Sequence, residues 1–155
     1  AQGLEVIDVT HPDRPAVVPG ASIAMADARK LHVARTYAYV AAGSEGLVIV
    51  DVTRPTAPKL FQRYDGGGKI GDARDVTVAS TNASLYAYIA DGRNGLHVLQ
   101  LTGPDIQPKF YGYSPEPKPK LIASYQTGKP ALSLSRALER DRAVDETGGQ
   151  IAVLG

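Results

Sequence analysis

Along the chain, apolar and polar residues alternate in short runs that are separated by turn residues. The clearest example is the alternating segment 37–41, the turn Gly-Ser-Glu-Gly at 43–46 and the aliphatic segment 47–52. Short period-two runs predict β-strands, and glycine-bearing turns between them predict hairpins. Because 47–52 is apolar at nearly every position, we expect both of its faces to be buried.

This pattern recurs along the chain. Segment Tyr37–Pro55 returns in altered form as Tyr86–Pro104, and half of it opens the sequence as Gly3–Pro12. A second repeated element, Asp-Ala-Arg, occurs at 27–29 and at 72–74. Repeats of roughly 40–50 residues that contain only short strands indicate propeller blades, since helical repeats would show a period of 3.6 residues.

One complete unit predicts the four strands of a propeller blade. We place them at 29–34, 37–41, 47–52 and 59–64. Segment 53–58 contains Pro55 and Pro58, which have no backbone N–H to donate to a sheet, so the fourth strand is expected at the outer edge. The next unit repeats this plan from 74 to about 126, with a lengthened hairpin at 80–85.

The predicted fold class is therefore all-β, an incomplete propeller of about three blades, each built from four antiparallel strands. Its units are a half blade of third and fourth strands at 1–25, a full blade at 26–70, a full blade at 71–128 with a Pro/Tyr-rich insertion at 105–120, and a last unit at 129–155. Isolated propellers have at least about four blades. We expect the missing blades to come from more polypeptide or from other subunits.

The last unit allows two interpretations. Residues 133–145 contain good helix formers and predict a short helix before a strand. Alternatively, 145–149 and 150–154 align with the turn at 91–95 and the strand after it. The second alignment makes the unit a degenerate partial blade, and we favour it.

The run Gly-Leu-Val-Ile-Val-Asp-Val-Thr-Arg-Pro at 46–55, preceded by Tyr-Ala-Tyr-Val-Ala, resembles the LVIVD-repeat family. Segments 3–12 and 86–104 resemble the same unit, so the resemblance covers about residues 1–104. It implies a β-propeller in a bacterial or archaeal protein that is secreted, periplasmic or attached to the cell surface. Such modules typically mediate interactions, sometimes beside multihaem cytochromes. The resemblance supplies no catalytic residues.

The amino-acid composition excludes only a few classes of function. A net charge of +1 gives no reason to expect binding to nucleic acid. The absence of cysteine excludes thiolate metal sites and Cys-X-X-Cys-His haem attachment from this segment, so no cofactor is expected there. No apolar run approaches the roughly 18 residues of a membrane span.

The repeated Asp-X-Arg residues are the main candidates for a site at the mouth of the central channel. Alternate residues of a strand share a face, so Asp27 and Arg29 are expected to lie together, as are Asp72 and Arg74. One hypothesis is that they form ion pairs between blades. The other is that Arg29 and Arg74 hold an anionic or carbonyl ligand through forked hydrogen bonds.

Aromatic residues and histidines are weaker candidates. The tyrosines at 37, 39, 86 and 88 occupy equivalent repeat positions and are expected to pack in the core or between blades. His11, His32 and His97 have no metal-ligand spacing and are expected to be ordinary surface or strand residues.

Two loops remain as candidate binding segments. Phe110, Tyr111 and Tyr113 in the insertion are candidates for contact with a partner protein. Segment 65–72 is glycine-rich but lacks the Gly-Lys-Ser/Thr ending of a phosphate loop, which favours an inter-blade linker. Calcium held by Asp65, Asp72 and loop carbonyls is the alternative.

We therefore predict a non-catalytic interaction or scaffold module of a secreted or cell-surface prokaryotic protein. Its partners would be other protein chains or further blades of the same protein. One alternative is a small-ligand-binding or enzymatic propeller with its site at the channel mouth. Another is a self-assembling subunit of a ring or filament, in which copies complete one another's sheets.

Overall fold

The computed structural model describes residues 3–81, 84–109, 114–135, 142–144 and 150–152. This part of the chain contains β-strands and no helix. It accordingly has no helix with the length and hydropathy needed to cross a membrane. The strands are β1 (Gly3–Asp8), β2 (Ala16–Ala24), β3 (Lys30–Ala34), β4 (Tyr37–Ala41), β5 (Leu47–Asp51), β6 (Lys59–Tyr64), β7 (Asp75–Thr81), β8 (Ser84–Ala90), β9 (Leu96–Thr102), β10 (Lys120–Tyr125), β11 (Arg142–Val144) and β12 (Gln150–Ala152).

The strands form antiparallel sheets whose neighbours follow the order of the chain. Strands β1 and β2 pair as a half blade, β3–β6 form blade 1, and β7–β10 form blade 2. The all-β fold class and the four-stranded blades are thus confirmed. Predicted and observed strands differ by about one residue, as in β3, which begins at Lys30 rather than Arg29.

The last unit is only partly described. Residues 133–135 are irregular, and β11 pairs with β12 in antiparallel fashion over three residues each. Position 131 joins the unit to blade 2, because Ala131 and Gly92 exchange two backbone hydrogen bonds of 2.8 and 3.0 Å. The rest of the segment that was predicted to be a helix or a degenerate blade lies outside the described residues.

Blade 1 is buried on both faces. Its pairs Tyr39–Ile49 and Ala38–Val50 are adjacent rungs of the β4–β5 ladder, so they point to opposite sides of the sheet. The first pair packs against blade 2 and the second against the half blade. Burial of one such aliphatic side chain contributes about 1.5–3 kcal/mol, so these two interfaces account for much of the stability. The sequence prediction for 47–52 is confirmed.

The repeated glycine that precedes the third strand of each unit has a steric role. Gly46 has φ of +72° and Gly95 has φ of +86°, which L-residues with a side chain rarely adopt. A Cβ at Gly46 would lie 2.5 Å from the carbonyl oxygen of Tyr64 on the outer strand, and one at Gly95 would overlap that of Tyr125. The glycine therefore lets the fourth strand close against the turn before the third.

We predict that Gly95→Ala lowers the free energy of unfolding by at least about 2 kcal/mol more than Gly68→Ala does. Both positions have positive φ, but a Cβ at Gly68 meets no atom within 4 Å. Urea titration of both variants at one pH measures the difference. Equal losses would mean that only the backbone conformation, and not the contact with Tyr125, requires glycine.

Candidate functional site

The Asp-X-Arg residues lie where the chain enters the first strand of each blade. Arg29 binds the carboxylate of Asp27 through Nε at 2.9 Å and Nη2 at 2.5 Å. Its Nη1 donates to Asp72 Oδ1 of blade 2 at 2.7 Å, and Arg74 Nε donates to Asp72 Oδ2 at 2.9 Å. The structure therefore brings all four residues into one chain of ion pairs across the boundary between blades 1 and 2.

The ion pairs change the protonation equilibria of this cluster. The hydrogen bond from Arg29 is the main cause that lowers the pKa of the Asp72 carboxyl below its ordinary value, with a smaller contribution from Arg74. Hydrogen bonds to Asp27 and Asp72 raise the pKa of Arg29. All three nitrogens of Arg29 are used inside the protein, so this geometry favours the bridging hypothesis for Arg29 over ligand binding.

A further carboxylate, that of Asp75 on the first strand of blade 2, contacts the units on both sides of that blade. Asp75 is 3% exposed and follows Arg74 directly at the start of β7. Its Oδ2 lies 3.5 Å from Lys30 Nζ of blade 1 and accepts the backbone N–H of Leu134 at 2.9 Å. The first strands of successive units are thus connected through side-chain charges as well as through packing.

Blade 2 contains a buried polar network that was not predicted from the sequence. Asp91, in the turn between β8 and β9, is fully buried, and His97 is 3% exposed. His97 Nε2 lies 3.2 Å from Asp91 Oδ2, and its Nδ1 lies 2.8 Å from Ser124 Oγ on β10. His97 is a strand residue, as one of the two expected alternatives had it, but it is not a surface residue, because its side chain is buried on the face of β9 that it shares with Leu99 and Leu101.

Asp91 also fastens the segment that leads into blade 2. It accepts the backbone N–H groups of Gly71 at 3.1 Å and Asp72 at 2.6 Å, and the side-chain amide of Asn94 at 2.9 Å. In blade 1 a different residue holds the corresponding segment. There Glu45 accepts the N–H of Ala26 at 2.7 Å, which is the main cause that lowers its pKa.

The network could have been noticed as polar substitutions in an apolar repeat. Asp91 and His97 align with Ala42 and Val48 of the first unit. The order hydroxyl, imidazole, carboxylate in Ser124–His97–Asp91 is that of a hydrolytic triad. The hydrogen bonds of this network join β9, β10 and the linker, and Asn94, which donates to Asp91, also lines a cavity described below.

The repeated tyrosines serve mainly in packing. Tyr37 and Tyr39 of blade 1 are 7% and 1% exposed, and burial raises the pKa of Tyr39. The Tyr37 ring stacks edge-on against Phe61, with centroids 5.3 Å apart. Tyr86 and Tyr88 of blade 2 are partly buried.

The glycine-rich segment 65–72 is an ordered turn. Asp65 accepts the N–H of Ile70 through its carbonyl at 2.8 Å and the N–H of Gly67 through its carboxylate at 3.0 Å, and Ile70 is buried. Asp72 points instead to the arginines. In the part of the chain that the structure describes, no group of three or more His, Asp or Glu side chains could hold a metal ion. The calcium site stays a prediction that this geometry does not favour.

The Pro/Tyr-rich insertion is anchored to both blades. Ser114 Oγ lies 2.6 Å from Thr36 Oγ1 of blade 1, and Lys118 donates its N–H to the Leu101 carbonyl at 2.7 Å. A cavity of about 590 Å³ opens on the insertion and is lined by Ile106, Gln107, Pro108, Lys109, Ser114, Glu116 and Lys118. The predicted partner contacts Phe110, Tyr111 and Tyr113 lie outside the described residues.

Comparison with known proteins yields one finding. Residues 26–66 and 70–104 match the family model described as LVIVD repeat. The two matched ranges contain strands β3–β6 of blade 1 and β7–β9 of blade 2. No curated protein and no solved structure matches the chain.

We predict that Asp72→Asn costs about 1 kcal/mol at pH 7, because the charge-assisted bonds to Arg29 and Arg74 are partly exposed to solvent. The folded-state pKa of Asp72 is lowered, so this contribution is present above the ordinary value of 3.8 and is lost as the pH falls through the lower folded value. Denaturant titrations should therefore show the variant and wild type converging below about pH 4. A gap of the same size at pH 3 would contradict this account.

We predict that Asp91→Ala costs about 3 kcal/mol, because it leaves buried N–H donors without an acceptor. Adding Asn94→Glu to that variant places a carboxylate where blade 1 has Glu45, and should recover at least about 1 kcal/mol. Urea titration of the single and double variants gives both values. If the double variant recovers nothing, the two carboxylates are not equivalent.

Proposed function

The chain belongs to the LVIVD-repeat family, and on that premise we propose that it is a non-catalytic β-propeller module that binds other polypeptide through its blade faces. We further propose that it belongs to a secreted or cell-surface prokaryotic protein, as the family resemblance implies. The partner is a further blade, supplied by the same protein or by another chain. The face of blade 1 that the half blade covers only in part carries this proposal.

That face continues beyond the half blade as an exposed apolar surface. Leu31 and Val33 of β3 are 52% and 55% exposed. They are the cross-strand partners of Val40 and Ala38, which are buried beneath the half blade. One apolar face is therefore covered over β4 and β5 and left open at β3. We call Leu31 and Val33 the β3 surface.

The shape of the β3 surface favours a packed sheet over a small molecule. The cavity beside it, lined by residues that include Leu4, Arg29 and Leu31, measures about 120 Å³. Small-molecule pockets are usually about 300–1,000 Å³. In contrast, the first two strands of a neighbouring blade would cover Leu31 and Val33 in the way that blade 2 covers Tyr39 and Ile49. The occupant is thus a β-sheet that continues an interface already formed by β1 and β2.

The insertion offers a second contact surface. Its anchors at Ser114 and Lys118 both follow Phe110, Tyr111 and Tyr113 in the chain. Aromatic side chains of this kind are enriched where proteins bind one another. We propose that a partner which docks on the insertion uses these three residues.

We predict that a photo-crosslinking amino acid at position 31 of the full-length protein, in the organism that produces it, gives one dominant protein adduct. Position 60 is the matched control, because Leu60 is a 40% exposed leucine on the outer strand β6. Mass spectrometry identifies the adduct as an internal crosslink to another blade or as a second chain. Adducts of equal yield at both positions would contradict the proposal.

The adduct protein then allows a direct test. For an internal crosslink, Leu31→Asp and Val33→Asp should lower the melting temperature of the full-length protein more than Leu60→Asp does. For a separate chain, the same two substitutions should weaken its binding at least about tenfold, as measured by calorimetry. Unchanged stability or affinity would exclude the β3 surface as the docking site.

A further inference from the structure

The step from one unit to the next is made twice with the same backbone geometry. The turn before the third strand of blade 1 exchanges two hydrogen bonds with blade 2, between Gly43 and Ala73, both of 3.0 Å. The corresponding turn of blade 2 makes the same exchange, between Gly92 and Ala131. Ala131 therefore occupies in the last unit the position that Ala73 occupies in blade 2.

The side chains on either side of that position differ in charge. Ala73 lies between Asp72 and Arg74, whereas Ala131 lies between Pro130 and Leu132. Asp72 supplies the carboxylate that accepts Nη1 of Arg29 from the preceding unit. At the next step the acceptor would have to come from position 130, and the proline there has no side-chain acceptor.

Arg74 is consequently less fully paired than Arg29. Within the described residues, its side-chain partner is Asp72, which it reaches through Nε at 2.9 Å. The same carboxylate already accepts a hydrogen bond from Arg29. The two terminal nitrogens of Arg74 have no acceptor among those residues, and the side chain is 41% exposed.

Arg74 borders a cavity whose volume and lining charges suit a small anion. It measures about 630 Å³ and is lined by Asp72, Arg74, Arg93, Asn94, Lys129, Pro130 and Leu132. The lining thus contains three cationic side chains and one carboxylate. That carboxylate belongs to Asp72, which accepts hydrogen bonds from both Arg29 and Arg74. Its volume lies within the range of about 300–1,000 Å³ that is typical of small-molecule sites.

We propose that this cavity binds a carboxylate, which takes the place of the aspartate that the repeat lacks at position 130. The carboxylate accepts hydrogen bonds from the terminal nitrogens of Arg74, and Arg93 and Lys129 favour its negative charge. A carboxylate fits better than a phosphate, because the equivalent position opposite Arg29 is filled by a carboxylate in this same chain. The site lies at the boundary of blade 2 with the last unit, whereas the β3 surface belongs to the face of blade 1 that the half blade partly covers, so the site goes beyond the proposed function.

Isothermal titration calorimetry on the full chain, at low ionic strength and pH 7, tests the proposal with three probes. Citrate represents a free organic acid, the peptide N-acetyl-Glu-Glu represents the acidic side chains of a partner, and inorganic phosphate tests the class of anion. We expect saturable binding of citrate or of the peptide, and whichever binds more tightly identifies the source of the carboxylate. Tighter binding of phosphate than of both, or no saturable binding, would overturn the proposal.

Variants at the site distinguish specific binding in this cavity from a general attraction of anions to positive charge. Arg74→Gln should weaken binding of the carboxylate probe at least about tenfold. Pro130→Asp restores an internal carboxylate and should abolish binding while it raises the melting temperature. Its matched control is Pro55→Asp, the same change in an exposed turn between β5 and β6. If Pro130→Asp binds the probe like wild type, or if both proline variants lose binding equally, the proposed site is wrong.

Discussion

Both faces of blade 1 have to be covered by other sheets, and the rest of the structure depends on this constraint. Strands β4 and β5 have hardly any polar positions, so neither of their faces could be left in water without a large loss of free energy. The half blade and blade 2 supply the two covers. This constraint is not met at β3. There the apolar face extends beyond the half blade, and Leu31 and Val33 remain exposed.

Polar residues then fix how the packed sheets are spaced. The hydrophobic effect is non-directional, whereas hydrogen bonds to charged groups are directional. Asp72 connects the arginines of two units, Asp75 contacts both neighbouring units, and Asp91 or Glu45 holds each linker in place. The charged residues at the start of each blade therefore serve mainly to hold neighbouring units together. A binding role is left to Arg74, where the last unit omits the expected carboxylate.

The prediction of the blades from sequence succeeded because burial and turn geometry are recorded locally. The alternation at 37–41, the aliphatic run at 47–52 and the glycine before it each have a direct structural cause. The site could be predicted only in part. Asp27, Arg29, Asp72 and Arg74 were found because they repeat, but the network of Asp91, His97 and Ser124 does not repeat, and its members are up to 33 positions apart.

The sequence by itself determined the family, the all-β class, the four strands of each blade and their order, because each follows from patterns within about 50 residues. Only the tertiary structure decided which charged groups are already paired. Hydrogen bonding depends on distances of about 3 Å between residues that are far apart in the chain. Arg29 and Arg74 look alike in the sequence, yet Arg29 meets Asp72 across a blade boundary, and the next boundary presents Pro130 to Arg74.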